Sequence, residues 1–271
     1  MKTIKWLVKE LINKLFPLKR NSGKLNKDLS GIKKDKIDDR DYNAKSLVGE
    51  FFGRPEKQYL AINPKKYVKD QGQWNSCGSH AMATALEIAY DLADVKFSGI
   101  ELSERFHYRL VRELNGKFPK NDGQTLRDAL KIAQEHGICP ERLCPYISEK
   151  MNDPLGSFTK SFAKWWRVKH YYRIWFLDQI KDTLLMNRPV IIGVKINASF
   201  KRFSGPIEVT KGERTYGGHG IVIYGYDSTD NTYHGIINSW GKYWKNEGIV
   251  KLPEEYLKEY LLDAYTFTIV E

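Results

Sequence analysis

The apolar pattern of this 271-residue chain changes period part-way along, and that change constrains the fold more than any other feature. From about Pro64 to Tyr146 apolar residues recur at helical spacing. Ala81, Met82, Ala85, Leu86 and Ala89 form a small-residue stripe suited to a buried helix that begins near Cys77. A second helix starts within Leu102 to Phe106, and a third runs from Thr125 to His136, closed by Gly137. From about Trp165 the pattern is one of short β-branched runs: Pro189 to Val194, Gly220 to Tyr226, Tyr233 to Asn238, Gly248 to Leu252 and Tyr265 to Val270. A helical part followed by a strand-rich part indicates an α+β fold, with room for a cleft between two lobes.

Composition narrows the function. Hydrophobic residues at 41% supply a core, so a disordered chain is excluded, and no apolar run approaches the ~20 residues that span a bilayer. Three cysteines are too few for a disulfide scaffold and fit a reducing compartment, so a cytoplasmic or virion-associated location is expected. The net charge of +11 is uneven. Residues 1–36 hold ten Lys and one Arg against Glu10, Asp28 and Asp35, a net +8, which leaves 11 − 8 = +3 for the other 235 residues. The body therefore carries no footprint for nucleic acid.

In this arm Ile4, Leu7, Val8, Leu11, Ile12, Leu15 and Phe16 recur at helical spacing among Lys2, Lys5, Lys9 and Lys14, and Pro17 stops the helix. Lysines interrupt every stretch that could be the apolar core of a secretory signal peptide. Residues 18–36 read as a polar linker. Three readings stay open for the arm: a helix packed on its own body or on a partner protein, a basic amphipathic helix on an anionic membrane surface, or an autoinhibitory segment.

The residues that carry chemistry lie far apart. Gln71 to Ala81 places Cys77 at the start of the buried helix, where unpaired N–H groups and the dipole favour a thiolate. His219, 142 residues later, opens an apolar strand within Gly217 to Gly220, and Asn238-Ser239-Trp240-Gly241 ends another. At these residues the sequence resembles the papain family of cysteine peptidases over roughly residues 37–271. It is most similar to the compact bacterial and phage branch, at Asp39 to Tyr42, Leu126 to Leu130, Gly137 to Glu141 and Leu252 to Leu257.

The resemblance implies a two-lobe fold with a helical lobe at about 64–160, an antiparallel β-rich lobe at about 161–271 and the active site in the cleft between them. It implies a cysteine endopeptidase that hydrolyses peptide bonds through a thioester acyl-enzyme, with a polypeptide substrate and neither metal nor cofactor. By motif, Cys77 corresponds to the nucleophile, charged in advance by an imidazolium partner, and His219 to the general base and acid. Asn238 corresponds to the residue that orients the ring, and Gln71 to the side-chain donor of the oxyanion hole. Gly123, Gly218 and Trp240 correspond to substrate-side positions, with Trp240 shielding the Asn–His hydrogen bond. The alternative is an inactive papain-like module with a binding or structural role, as in a phage particle.

The sequence departs from the family signature at Trp74, Asn75 and Gly78. Gly78 stands in place of an aromatic residue, which alters the wall beside the nucleophile, and Gly218 before the histidine supplies little to define a specificity pocket. A family block of the cleft normally involves a longer segment than 36 residues, so the arm is expected to dock on a partner protein or an anionic membrane and to be dispensable for the fold. His80, one turn beyond Cys77, is expected to pack or cap, and His107, His136, His170 and His234 have no companion motif. Cys139 and Cys144 lack the second Cys/His pair of a metal site and are expected to be reduced, buried thiols. Trp165, Trp166, Tyr171, Tyr172, Trp175 and Phe176 are expected to pack in the core or between lobes.

Overall fold

The computed structural model describes residues 2–22, 31–48, 54–93, 99–202, 204–236 and 239–270. Its helical lobe is built round α3 (Cys77–Ala93), which is buried on every face from Cys77 to Ile88. Such a helix needs small or apolar residues all round, and Gly78, Ala81, Ala83 and Ala85 let its neighbours approach closely. Packed beside it are α4 (Glu104–Leu114) and α5 (Leu126–Glu135). Ser103 caps α4 by accepting from the Phe106 N–H at 3.1 Å, and Thr125 caps α5 by accepting from the Asp128 N–H at 3.1 Å. Gly137 ends the last of these turns at φ 76°. The arm helix α1 (Lys2–Leu15) and the short α2 (Lys45–Val48) come before this lobe.

The second lobe is an antiparallel sheet of seven strands: β1 (Lys57–Tyr59), β2 (Val168–Arg173), β3 (Val190–Lys195), β4 (Gly218–Asp227), β5 (Thr232–Ile236), β6 (Ile249–Pro253) and β7 (Leu261–Ile269). The order is β2-β7-β3-β4-β5-β6, with β1 also on β4. Helices α6 (Ser157–Ala163), α7 (Leu177–Leu185), α8 (Ala198–Lys201) and α9 (Glu254–Tyr260) fill the connections. The expected α+β, two-lobe architecture is present. The sequence reading missed β1 and β2, because a three-residue strand and a half-exposed edge strand leave no apolar run. Trp166 is buried as expected, but Trp175 and Phe176 are 40% and 69% exposed, a correction to their reading as packing residues.

The arm is built into the molecule. Ile12 is 2% exposed, Arg142 Nη1 donates to the Phe16 carbonyl at 2.8 Å, and the Asn21 N–H donates to the Tyr146 carbonyl at 2.8 Å. Arg20 enters a buried cluster of acids, 2.9 Å from Glu104 and 3.3 Å from Glu141, while Lys69 lies 2.6 Å from Glu87 and 2.5 Å from Glu104. Glu87, Glu104 and Glu141 are all at or below 2% exposure, so three acids share two cations. Burial and the neighbouring Glu104 push the Glu141 carboxyl well up, whereas Arg20 and Lys69 hold Glu104 down. An arm that supplies one of the two cations does not fit the expectation that residues 1–36 are dispensable for the fold.

Arg20→Ala strips a partner from two buried carboxylates, which costs about 2–4 kcal/mol. Thermal unfolding should show a midpoint lowered by roughly 5 °C or more, with partial recovery when Glu141→Gln is added. An unchanged midpoint in the single variant would remove Arg20 from the fold's essentials.

Candidate active site

Cys77 is the first residue of α3, and the loop Gln71–Ser76 that leads into it is pinned at several points. The Gln71 N–H donates to the Ser239 carbonyl at 2.9 Å, Gln71 Nε2 donates to the Trp74 carbonyl at 2.5 Å, and Tyr146 OH donates to the Gln71 carbonyl at 2.8 Å. One amide proton of Gln71 stays uncommitted by these contacts. His219 is the second residue of β4, opposite Val194. Its neighbour Gly220 meets α3 end-on: a Cβ there would lie 3.1 Å from the Cys77 carbonyl oxygen and 3.3 Å from Ala81 Cβ. The lobes therefore touch where the candidate nucleophile and candidate base belong, because Gly220 lacks a side chain.

The imidazole of His219 is fully buried. Trp240 lies against it at 4.7 Å between ring centroids and Phe200 at 6.0 Å. Ser239 Oγ is 3.1 Å from Nε2, and Nδ1 has no hydrogen-bond partner among the described residues. Trp240 is itself 1% exposed and packs its ring against the histidine. Asn238 lies outside the described residues. His80 packs as expected: Nδ1 is 3.0 Å from the Ser76 carbonyl and the ring meets Tyr146 edge-on at 5.0 Å. Cys139 and Cys144 are buried free thiols.

Between the lobes runs the end of the arm. The Ile32 N–H donates to the Gly218 carbonyl at 3.0 Å, the Lys33 N–H to the Gln124 carbonyl at 2.9 Å, and the Gln124 N–H to the Gly31 carbonyl at 2.7 Å. Residues 31–33 thus form an extended, strand-like segment in which Ile32 bridges Gln124 in parallel and Gly218 antiparallel. Gly123 and Gly218 make this passage possible: a Cβ on them would fall 2.5 Å from the Gly31 oxygen and 2.3 Å from the Ile32 oxygen. Gly31 lies over the thiol, where its own Cβ would be 2.9 Å from Cys77 Sγ and 2.4 Å from the Asn75 oxygen. Downstream the Asp35 N–H donates to Asp263 Oδ2 at 2.7 Å, and Lys33 Nζ pairs with Asp122 at 2.7 Å.

Ile32 is 4% exposed and fills an apolar pocket. Its methyl groups would be only 2.8 Å from a Cβ at Gly78 or Gly193, and Leu126 and Leu262 stand beside them. The sequence reading singled out Gly78 without assigning it a use, and it passed over Gly31, Gly193 and Ile32. The signal available was the pair Gly31-Ile32, an apolar residue directly behind a glycine in a lysine-rich stretch. The expectation that the arm docks elsewhere rather than enters the cleft is corrected for residues 31–35.

Closure changes the electrostatics. Burial pushes the Cys77 thiol up to about 11, against the lowering effect of backbone N–H groups of Gly220, Gly31, Gly78 and Cys77 itself. Burial, with a smaller contribution from His80, pushes His219 down to about 3. Burial therefore opposes charge on both groups while this segment is in place. Water, which would solvate a charged pair, is displaced by residues 31–33.

These features agree with known proteins. The model of the papain family cysteine protease matches residues 58–267, well over half of the chain. An uncharacterized peptidase C1-like protein of Acanthamoeba polyphaga mimivirus is 27% identical over 74% of this chain and 68% of its own length. A senescence-specific cysteine protease of Oryza sativa is 28% identical over 72% of this chain, which spans 55% of that protein. Among solved structures, xylellain, a cysteine protease from Xylella fastidiosa, superposes with a TM-score of 0.76 at 25% identity, covering 94% of this chain and 99% of that one. Procathepsin B of Trypanosoma congolense shares the fold, with a TM-score of 0.66 at 16% identity over 100% and 99%. By this match and by its two-lobe architecture, the chain belongs to the papain family of cysteine proteases.

Proposed function

We propose that this protein is a cysteine endopeptidase held latent by its own residues 31–35. The observation that carries the reading is the extended segment at Gly31–Lys33, hydrogen-bonded to both lobes directly over Cys77. A cleft that binds extended backbone on two sides is built for a peptide. In the open form, Cys77 sulfur attacks the substrate carbonyl carbon and the second Gln71 amide proton, with the Cys77 N–H, holds the oxyanion. The C–N bond breaks as His219 gives its proton to the leaving amine, and water, deprotonated by His219, then cleaves the thioester. Asn238 completes the set by orienting the imidazole.

The Gly31 carbonyl oxygen accepts from the Gln124 N–H at 2.7 Å, which ties the segment to the helical lobe beside Cys77. The pocket around Ile32 favours substrates with a branched aliphatic side chain at the matching position, since Gly193 and Gly78 provide depth and Leu126 and Leu262 stand beside the Ile32 methyl groups.

Ile32→Asp places a charge in that pocket and should expel the strand. Peptide turnover is expected to rise about tenfold or more over the parent, and Cys77→Ala in the same background should abolish it. Turnover that survives the loss of Cys77 would sink the nucleophile assignment, and no turnover from any opened variant would favour the inactive module. Gln71→Ala, read in the Ile32→Asp background, is expected to lower kcat about 10²-fold with little change in KM. Alkylation by iodoacetamide checks the closed state separately. The parent should react slowly at pH 7 and faster only as pH climbs towards 11, the level to which burial pushes Cys77, whereas the opened variant should react at neutral pH about 10²-fold faster.

A further inference from the structure

The arm helix has an outer face that no described residue covers. Leu7, Leu11 and Leu15 are 54%, 56% and 60% exposed, whereas Ile12 on a neighbouring face is 2% exposed and anchors the helix to the body. Steps of four residues align these three leucines in one stripe along α1, and Leu18, 42% exposed, follows beyond its end. Exposed leucines in line are costly in water, and α1 is held in this orientation by Ile12, the Arg142 contact to Phe16 and the Arg20 cluster.

Charge selects what covers the stripe. Within Lys2–Leu15 the sequence has four lysines against Glu10 alone, and Lys14 and Lys19 are exposed at the end of the stripe. The whole arm carries +8 of the chain's +11. A second copy presenting the same helix would bring like charges together, which opposes self-association through this face. Lys14 and Lys19, exposed at the end of this stripe, make the face complementary to a surface that is apolar beneath and negative above.

From this face we infer that the protein is a peripheral membrane protein, docked through Leu7, Leu11, Leu15 and Leu18 on an anionic lipid surface. The leucines enter the acyl boundary while lysine ammonium groups reach the headgroups. Arg20 joins the docked helix to the helical lobe, so the whole enzyme is carried at the bilayer and only residues 23–30 separate this anchor from the strand in the cleft. The inference is independent of the peptidase reading, since it asks nothing of Cys77.

Co-sedimentation of the full chain with vesicles tests it. Binding to phosphatidylcholine–phosphatidylglycerol vesicles is expected to be at least about tenfold stronger than to phosphatidylcholine alone, and to weaken at high salt. Leu11→Asp with Leu15→Asp should lower it about tenfold or more, as should Lys14→Glu with Lys19→Glu on the anionic vesicles, while the thermal midpoint stays that of the parent because these side chains are exposed. No binding to anionic vesicles, equal binding to neutral ones, or full binding by the leucine variant would overturn the inference. So would a dimer of the parent chain that the leucine substitutions convert to monomer.

Discussion

The contact between the start of α3 and Gly220 of β4 sets the distance between the two lobes, and the rest of the site depends on it. The approach is tight there: a Cβ on residue 220 would lie 3.1 Å from the Cys77 carbonyl oxygen and 3.3 Å from Ala81 Cβ. The approach brings Cys77 beside the strand that carries His219, puts Gly218 across from Gln124, and leaves between them a slot one strand wide. Residues 31–33 complete its hydrogen bonds on both edges, as an added strand completes a sheet. Glycines recur along this slot at 31, 78, 123, 193, 218 and 220, because two lobes and an inserted chain converge within a few ångströms.

That convergence also decides the charge state of the site. The helix N-terminus and several backbone N–H groups favour a thiolate, but complete burial outweighs them, and the same desolvation pushes the imidazole down. The segment that fills the slot therefore also buries both groups, and burial opposes charge on each. Readmitting water or a polar substrate restores conditions in which the dipole and the N–H groups prevail.

The arm divides by physical role. Residues 2–22 are fastened to the helical lobe by a buried isoleucine and by an arginine among three buried acids, interactions whose loss is expensive. Residues 31–35 are held by backbone hydrogen bonds, one isoleucine in a pocket and the Asp35–Asp263 contact, which a competing peptide can replace in kind. Anchor and plug therefore differ in how readily they exchange, although both lie in one basic arm.

The sequence by itself determined the α+β division, the buried helix that begins at Cys77, the caps at Ser103 and Thr125, the apolar strands of the sheet, and the local motifs around Gln71, Cys77 and His219. All of these follow from periodicity, capping and short-range chemistry, which adjacent residues encode. The tertiary structure decided that Arg20 balances Glu104 and Glu141, that Ile32 lies in a pocket floored by Gly78 and Gly193, that Trp240 packs against the histidine, and that Trp175 and Phe176 remain in water. Each depends on side chains brought together from distant parts of the chain. Residues 18–36 show why such features escape a linear reading: polar composition and absent periodicity mark a linker, yet one Gly-Ile pair is enough to seat it, because the slot supplies the hydrogen-bond partners that the segment lacks.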